Sequence, residues 1–339
     1  MPVPASKRSR PTMLDVAKMS GVSYQTVSRV INNHPYVSED TRKRVQAAID
    51  ELGYRPSKAA INLRAKSSKI VAIILYGGWL YGPNQIALNV EMAAKTSGFD
   101  VILSNITETQ KQLTEALEHV KDWSVDGIVL ILPAHGAAQI DIQSIRGDIP
   151  IVQIDSHTTT GLPSINFSDA QGARLLMEHL IELGHRSFCE ISGPLNWQGA
   201  QIRHETILKV CKEHGLEAPV HVEGNWATPS GYQATRRLLE QGHEFTAILA
   251  GNDKMALGAY RALHQAGLSV PDDVSVVGFD DIPEAAYFTP PLTTVRQNYI
   301  EMGNAGFEYL LQIMDEPIID SYQQLVAPKL IIRESTASR

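Results

Sequence analysis

A two-part chain is predicted: a small, basic, all-helical head followed by an α/β body of doubly wound parallel sheets in two subdomains. Three observations predict it. Charge is divided unevenly, since residues 1–66 carry 12 Lys+Arg against 5 Asp+Glu and the remainder 18 against 32, so +7 sits beside −14. Residues 13–53 hold three short helical patterns without strand-like alternation. From Lys69 onward, β-branched apolar runs alternate with helical stretches, as parallel strands joined by crossover helices do.

With 339 residues, 43% of them hydrophobic and 20% charged, the chain can bury a sizeable core and has the length of two or three domains. No apolar run reaches the roughly 18 residues of a membrane span. The opening MPVPASKRSR lacks the apolar stretch of a secretory signal, so a cytoplasmic protein without membrane attachment is expected. Cys189 and Cys211 have no metal-like or redox-like spacing and read as packing residues.

In the head, Met13 to Met19 forms the first helical pattern and stops at Ser20-Gly21-Val22, after which Ser23 can cap a second helix. Along Tyr24 to Asn32, Val27, Val30 and Ile31 fall at i, i+3 and i+4 and bury one side. The other side then presents Tyr24, Gln25, Ser28 and Arg29, hydrogen-bonding groups suited to base edges in a major groove. Ser38 caps a third helix with Val45, Ala48, Ile49 and Leu52 inward and Gly53 as its stop, and Arg42, Lys43 and Arg44 on its early turns suit phosphate. A solvated helical bundle has the same polar faces. The coincidence of turn, cap, polar face and positive charge within one short segment favours a DNA reader.

Residues 54–68 form a linker in which Pro56 breaks the chain and Ser57 can cap a short helix from Lys58 to Arg64. Seven residues do not hold a helix alone, so this one should order only when something holds it. Leu63 is either a core contact, which composition favours, or a wedge for a minor-groove step.

In the body the clearest strands are IVAIIL, DVILSNI, GIVLIL, IPIVQID, FCEIS, FTAILAG and VSVVGFDD, each continuously apolar as strands buried on both faces are. Residues 69–339 are too many for one such sheet, so two similar subdomains with a cleft between them are expected. Polar residues follow the strand tips at Asp155, Asn252-Asp253 and Asp280-Asp281, where open parallel sheets bind ligands. Asp253 and Asp281 read as helix N-caps, the latter with Glu284 in capping-box spacing, which leaves Asp155, Asn252 and Asp280 as ligand candidates. Arg203 and Trp226, placed in loops after two further strands, add a fork of donors and a flat apolar face suited to a hydroxyl-rich ligand.

Catalytic patterns are missing: the chain has no GxGxxG, P-loop, GxSxG or HExxH, and its eleven histidines are not expected to cluster. A sensor rather than an enzyme is expected, with no cofactor and no metal.

Six blocks carry a resemblance to a known family: DVAKMSGVSYQTVSRVINN, VSEDTRKRV, SGPLNWQGAQIRH, GNDKMALGA, VSVVGFDD and PPLTTVRQ. In this order they resemble the lac repressor/galactose repressor family of bacterial transcription regulators, from about Thr12 to about Ser335. The resemblance implies a helix-turn-helix head over 1–56, a hinge helix and linker over 57–68, and over 69–339 a periplasmic-binding-protein-like (type I) domain that binds sugar and dimerises. Tyr24, Gln25 and Arg29 would read bases of a pseudo-palindromic, lac-operator-like half-site in double-stranded DNA. Ser23, Thr26, Ser28, Asn32 and Thr41 would contact or flank phosphates, and Thr12, Tyr36 and Ser57 would join the DNA-binding set. Leu63, with Ala60 beside it, would insert into a central minor-groove step.

The same resemblance implies an effector held by Asp155, Phe167, Arg203, Trp226, Asn252, Asp280 and Gln297, with Pro83 and Ile86 as its apolar wall. Two departures stand out: Ile131 replaces an inward asparagine, and Tyr299 a phenylalanine, so one polar ligand contact is lost and another is available. The retained polar set favours a galactoside, while the family's purine-binding branch shows that the same cleft accepts other effectors. The chain ends six residues after LIIR without the family's tetramer-forming heptad helix, so a homodimer is expected. The expected function is a sugar-released repressor of a sugar-utilisation operon. Its rivals are the same fold with another sugar or a purine corepressor, and a cytoplasmic sugar-binding module that does not bind DNA.

Overall fold

The computed structural model describes residues 11–32, 34–55, 67–107, 109–133, 147–156, 161–316 and 322–339. They fall into two compact units, Met1–Ser68 and Lys69–Arg339. The head comprises α1 (Met13–Ser20), α2 (Tyr24–Ile31) and α3 (Glu39–Leu52). Thr12 and Asp15 close a capping box on α1, and Gly21, at φ 67°, ends it in the left-handed region. Ser23 and Ser38 accept from the amides of Thr26 and Thr41 to cap α2 and α3. Each such cap contributes about 1 kcal/mol. Eight-residue helices do not persist alone, and these are held by a shared core of Val16, Val27, Val30, Val45, Ala48 and Tyr54. The expected hinge, with Ser57, Ala60 and Leu63, lies outside the described residues.

The body contains two six-stranded sheets. The first joins β1 (Ile70–Tyr76), β2 (Asp100–Ile106), β3 (Gly127–Ile131), β4 (Ile151–Ile154), β5 (Ser164–Phe167) and β11 (Gln323–Val326), in the order β11-β5-β4-β3-β1-β2 and parallel throughout. The second joins β6 (Phe188–Ser192), β7 (Val220–Glu223), β8 (Ala247–Ala250), β9 (Ser275–Asp280), β10 (Thr293–Arg296) and β12 (Lys329–Ile331), in the order β12-β10-β9-β8-β6-β7, with only β12 antiparallel.

Helices cover both faces of each sheet. On the first, α4 (Tyr81–Thr96) and α10 (Tyr299–Asp315) pack over Val71, Ile73 and Leu75, while α5 (Thr109–Asp122) covers Ala72 and Ile74. On the second, α6 (Asp169–Glu182) and α7 (Gln198–Glu213) cover Leu249 and Val277, and α8 (Thr228–Glu240) and α9 (Asp253–Gln265) cover Ile248 and Val276. This alternation of contacts is the strand period of two, read on apolar runs that face helices on either side.

The chain passes between the sheets after β5, after β10 and after β11, which makes two subdomains joined by three connections. Strands β5 (SINF), β7 (VHVE), β10 (TTVR), β11 (QQLV) and β12 (KLI) have four residues or fewer and, unlike the equally short β4 and β8, are mixed with polar residues or too short to show a clear apolar run. DVILSNI, expected to be buried on both faces, is the edge strand β2, with Leu103 55% exposed. Its apolar composition matched that of a central strand, and only the sheet order reveals the open face.

Candidate functional site

In the head, Tyr24, Gln25 and Arg29 are exposed on α2, the first two in its first turn and Arg29 in its last, on the side opposed to Val27 and Val30. Thr12 and Ser23 are exposed N-caps, Thr41 is half-buried in the first turn of α3, and Asn32 and Tyr36 are exposed in the segment between α2 and α3. Thr26 is half-buried, its hydroxyl 2.9 Å from that of Ser23. Helix N-termini present free amides and a partial positive charge, so the three caps are suited to phosphate oxygens.

One expectation fails. Ser28, assigned to the open face, is only 8% exposed. The Asn32 side chain folds back over it, its amide donating to the Ser28 carbonyl at 2.7 Å. The cations of α3 are engaged locally: Lys43 pairs with Glu39, Arg44 with Asp40, and Arg42 donates to the His34 carbonyl. Both ion pairs are solvent-exposed and therefore weak, so they yield readily to a phosphate.

In the body, a partly open cavity lies between the subdomains. It is lined by nine of the ten predicted effector residues, Pro83, Asp155, Phe167, Arg203, Trp226, Asn252, Asp280, Gln297 and Tyr299. Ile86 is not on its wall; one turn further along α4 than Pro83, it is fully buried in the first subdomain's core. Leu80, Tyr81, Gly82 and Trp197 complete the lining and were not expected. A usable signal existed for Trp197, which stands in the same SGPLNWQGAQIRH block as Arg203 and directly precedes α7. Tyr81 stands two residues before Pro83, and a proline this early marks a helix start.

Three lining residues adopt left-handed backbone at strand ends: Asp155 (φ 54°), Trp226 (φ 69°) and Asp280 (φ 108°). Such conformations cost about 1–3 kcal/mol each outside glycine and persist where surrounding packing imposes them. Here they turn side chains inward from the carboxyl ends of β4, β7 and β9. Gly193 is required opposite Trp226, because a Cβ there would lie 2.1 Å from the indole ring.

Asp280 is the centre of a buried triangle. Gln297 Nε2 donates to its Oδ1 at 2.8 Å, and the Tyr299 hydroxyl donates to the same oxygen at 3.0 Å while accepting from Gln297 at 3.1 Å. Burial pushes the Asp280 carboxyl up to about 6, against the opposing influence of the Arg203 charge and of these hydrogen bonds. Burial and the Asp280 charge together push the Tyr81 hydroxyl up to about 12, so it stays a donor. Tyr299, the expected substitution for phenylalanine, thus spends its hydroxyl positioning Asp280. Ile131, the other departure, is fully buried among the apolar residues of the first subdomain.

Arg203 lies in the second turn of α7, not in a loop: the turn through Pro194 is short, and the helix starts at Gln198. Its Nε pairs with the buried Asp169 at 3.0 Å, its Nη1 donates to the Gly251 carbonyl at 2.9 Å, and its plane lies over Phe279 with 4.1 Å to the ring centroid. The capping assignments are exchanged. Asn252, not Asp253, caps α9, accepting from Met255 N at 2.8 Å, and its amide donates to the Trp226 carbonyl, which anchors that loop. Asp253 is fully buried, accepting from Ile282 N and the Thr294 hydroxyl, and burial raises it well above the usual carboxylate range. Asp281 caps nothing: Arg296 and Arg333 bind its two oxygens at 2.6 Å each. Local spacing suggested caps; cations from elements distant in sequence decided otherwise.

Cys189 and Cys211 are both free and buried. The histidines do cluster in one place. His204 on α7 and His221 on β7 have ring centroids 4.5 Å apart, and both meet Glu190 of β6. They are separated by 17 residues in sequence and are joined only by the register that sets Glu190 opposite His221. Among the described residues, no helix is long and apolar enough to cross a membrane.

A helix-turn-helix head on a two-sheet body with a polar cleft defines a class, the bacterial DNA-binding regulators with an effector domain. Comparison with known proteins agrees. The model described as "Bacterial regulatory proteins, lacI family" matches residues 12–57, and that described as "Periplasmic binding protein-like domain" matches 177–336. The lactose operon repressor of Escherichia coli (strain K12) is 34% identical over 326 residues, 96% of this chain and 90% of the relative. The ribose operon repressor of the same organism is 32% identical over 327 residues, 96% of this chain and 99% of the relative. The crystal structure of the lac repressor dimer bound to operator and the anti-inducer ONPF superposes with a TM-score of 0.91 at 34% identity, covering 97% of this chain and all of that one. The chain belongs to the lacI family of bacterial regulatory proteins, and these relatives are transcriptional repressors.

Proposed function

We propose that this protein is a cytoplasmic homodimeric repressor of a sugar-utilisation operon, released from a pseudo-palindromic, lac-operator-like site by a small hydroxyl-rich effector, a galactoside. The observation that carries this reading is the convergence of Asp155, Arg203, Asn252, Asp280 and Gln297, from both subdomains, on one cavity beside the Trp226 ring. Such a wall combines acceptors, a fork of donors and a flat apolar face, the mixture that sugar hydroxyls and a sugar ring require. The relative of known structure was crystallised as a dimer on its operator, which supports the same assembly here. Because the ribose operon repressor is nearly as similar, the test is a thermal-shift screen of galactosides, glucosides, pentoses and purines against the full chain. The reading fails if no galactoside raises the melting temperature.

Tyr24, Gln25 and Arg29 read bases, Ser23, Thr26, Ser28, Asn32 and Thr41 contact or flank phosphates, and Thr12 and Tyr36 belong to the same DNA-binding surface. Ser28, being covered, acts through its contact with Asn32. Arg29→Ala should cost about 1–3 kcal/mol on the cognate operator and flatten base preference, whereas Arg44→Ala should weaken all sequences alike and reduce the salt slope by about one. Fluorescence anisotropy on cognate and scrambled duplexes over a salt series separates the two. Equal effects of both substitutions on both duplexes would remove α2 as the reading helix.

Effector affinity should depend on pH through Asp280. Its carboxyl ionises at about 6 in the native protein and near 3.9 in an unfolded chain. The native state therefore loses stability as pH rises through that window, and a ligand that donates to the ionised carboxylate recovers part of it. Below pH 6 the carboxyl is protonated and accepts less well. Calorimetric titration should give binding about tenfold weaker at pH 5 than at pH 7.5 if only the ionised form binds. A flat profile would exclude Asp280 as the acceptor.

A further inference from the structure

The Glu190, His204 and His221 cluster lies in the second subdomain and is not among the residues lining the effector cavity. One ligand atom from each residue lies within 4.8 Å of the other two. Three different elements supply them: β6 gives Glu190, its parallel neighbour β7 gives His221 at the opposed position, and α7, which follows β6, gives His204. The pairing of a buried carboxylate with two imidazoles is the donor set of a borderline-soft divalent ion.

The hydrogen bonds around the cluster already prepare two of these ligands. The Ser192 hydroxyl donates to the Gly193 carbonyl at 2.8 Å, so its oxygen accepts the Nε2 hydrogen of His221, also at 2.8 Å. That fixes the tautomer with its lone pair on Nδ1. Orientation of a ligating histidine by a hydrogen bond from its second nitrogen is the usual outer support of a metal site. His204 Nδ1 and Glu190 Oε2 are 2.6 Å apart and share a proton. A cation replaces that proton, and the pair needs to open only to the roughly 3.4 Å that separates two ligand atoms around a tetrahedral ion with bonds near 2.1 Å. His204 retains 18% side-chain exposure, which leaves a route for entry.

We propose that Glu190, His204 and His221 bind one zinc-class divalent cation, with water in the fourth position. The ion staples α7 to the β6–β7 edge of the sheet, one residue from Arg203 in the effector cleft.

The test uses the full-length, chelator-treated protein. Titration with ZnCl2 followed by calorimetry should give one site per chain, and Co2+ should produce the intense visible absorption of a tetrahedral complex. His204→Gln and His221→Gln should each weaken zinc binding by about a hundredfold, and Ser192→Ala, which removes only the outer support, by about tenfold. Folding of each variant is checked by its far-ultraviolet circular dichroism. Only the weak absorption of octahedral Co2+ with the wild-type protein, or zinc binding unchanged in a folded His221→Gln variant, would overturn the site.

Discussion

Asp280→Asn is expected to abolish release by the effector while leaving operator affinity unchanged. The carboxylate sits 9% exposed at the tip of β9 and lines the effector cavity, held by Gln297 and Tyr299. An ionised acceptor contributes about 1.5–3 kcal/mol per hydrogen bond. Loss of two such bonds to sugar hydroxyls would weaken effector binding by about two to four orders of magnitude. Asparagine preserves the shape and tolerates the φ of 108° better than most residues do. It also removes a buried carboxyl whose ionisation costs stability at neutral pH, so stability should not fall. The operator-reading residues belong to a separate compact unit and are untouched. Calorimetry with the effector and anisotropy with the operator measure the two halves of the expectation. Release at the wild-type effector concentration would show that Asp280 is not a ligand residue.

Gly258→Ala is expected to destabilise the protein by about 3 kcal/mol or more, reversing the sign that helix propensity alone assigns. Gly258 lies inside α9, where alanine is ordinarily better than glycine by about 1 kcal/mol. Tertiary packing forbids it. A Cβ on Gly258 would stand 2.1 Å from the Thr228 carbonyl oxygen and 2.4 Å from the Tyr232 amide nitrogen, and one on Gly231 would stand 2.1 Å from the Met255 carbonyl oxygen. Both clashes are with backbone, so no side chain can swing away and α8 must separate from α9. Those two helices also carry the loops that place Trp226 and Asn252, so effector binding should weaken as well. Urea denaturation compares the variant with Leu257→Ala, a neighbour on the same helix that is 43% exposed. A loss no greater for Gly258→Ala than for Leu257→Ala would contradict the close approach.

The legible parts of this molecule are those whose causes are local. Caps at Ser23 and Ser38, stops at Gly21 and Gly53, and the inward stripe of Val27 and Val30 each depend on residues a few positions apart, and the head follows from them. The long apolar runs of β1, β3 and β9 likewise announce buried parallel strands, and the polar residues at the tips of β4, β8 and β9 announce a cleft. Capping was misread where a competitor came from far along the chain: Arg296 and Arg333 claim Asp281, and Ile282 and Thr294 claim Asp253.

By itself, then, the amino-acid sequence determined a basic three-helix head, an α/β body in two subdomains and five residues of the cleft, Asp155, Arg203, Trp226, Asn252 and Asp280, while Pro83, Phe167, Gln297 and Tyr299 followed from the family resemblance. Hydrophobic period, capping chemistry and charge division are properties of short segments and need no knowledge of distant neighbours. Only the tertiary structure decided that Ser28 is covered, that Ile86 belongs to the core, that Tyr299 and Gln297 are spent on holding Asp280, and that Glu190, His204 and His221 meet. Each of these depends on which side chains strand order and helix packing bring within a few ångströms, and contacts between residues far apart in the chain leave no periodic trace in it.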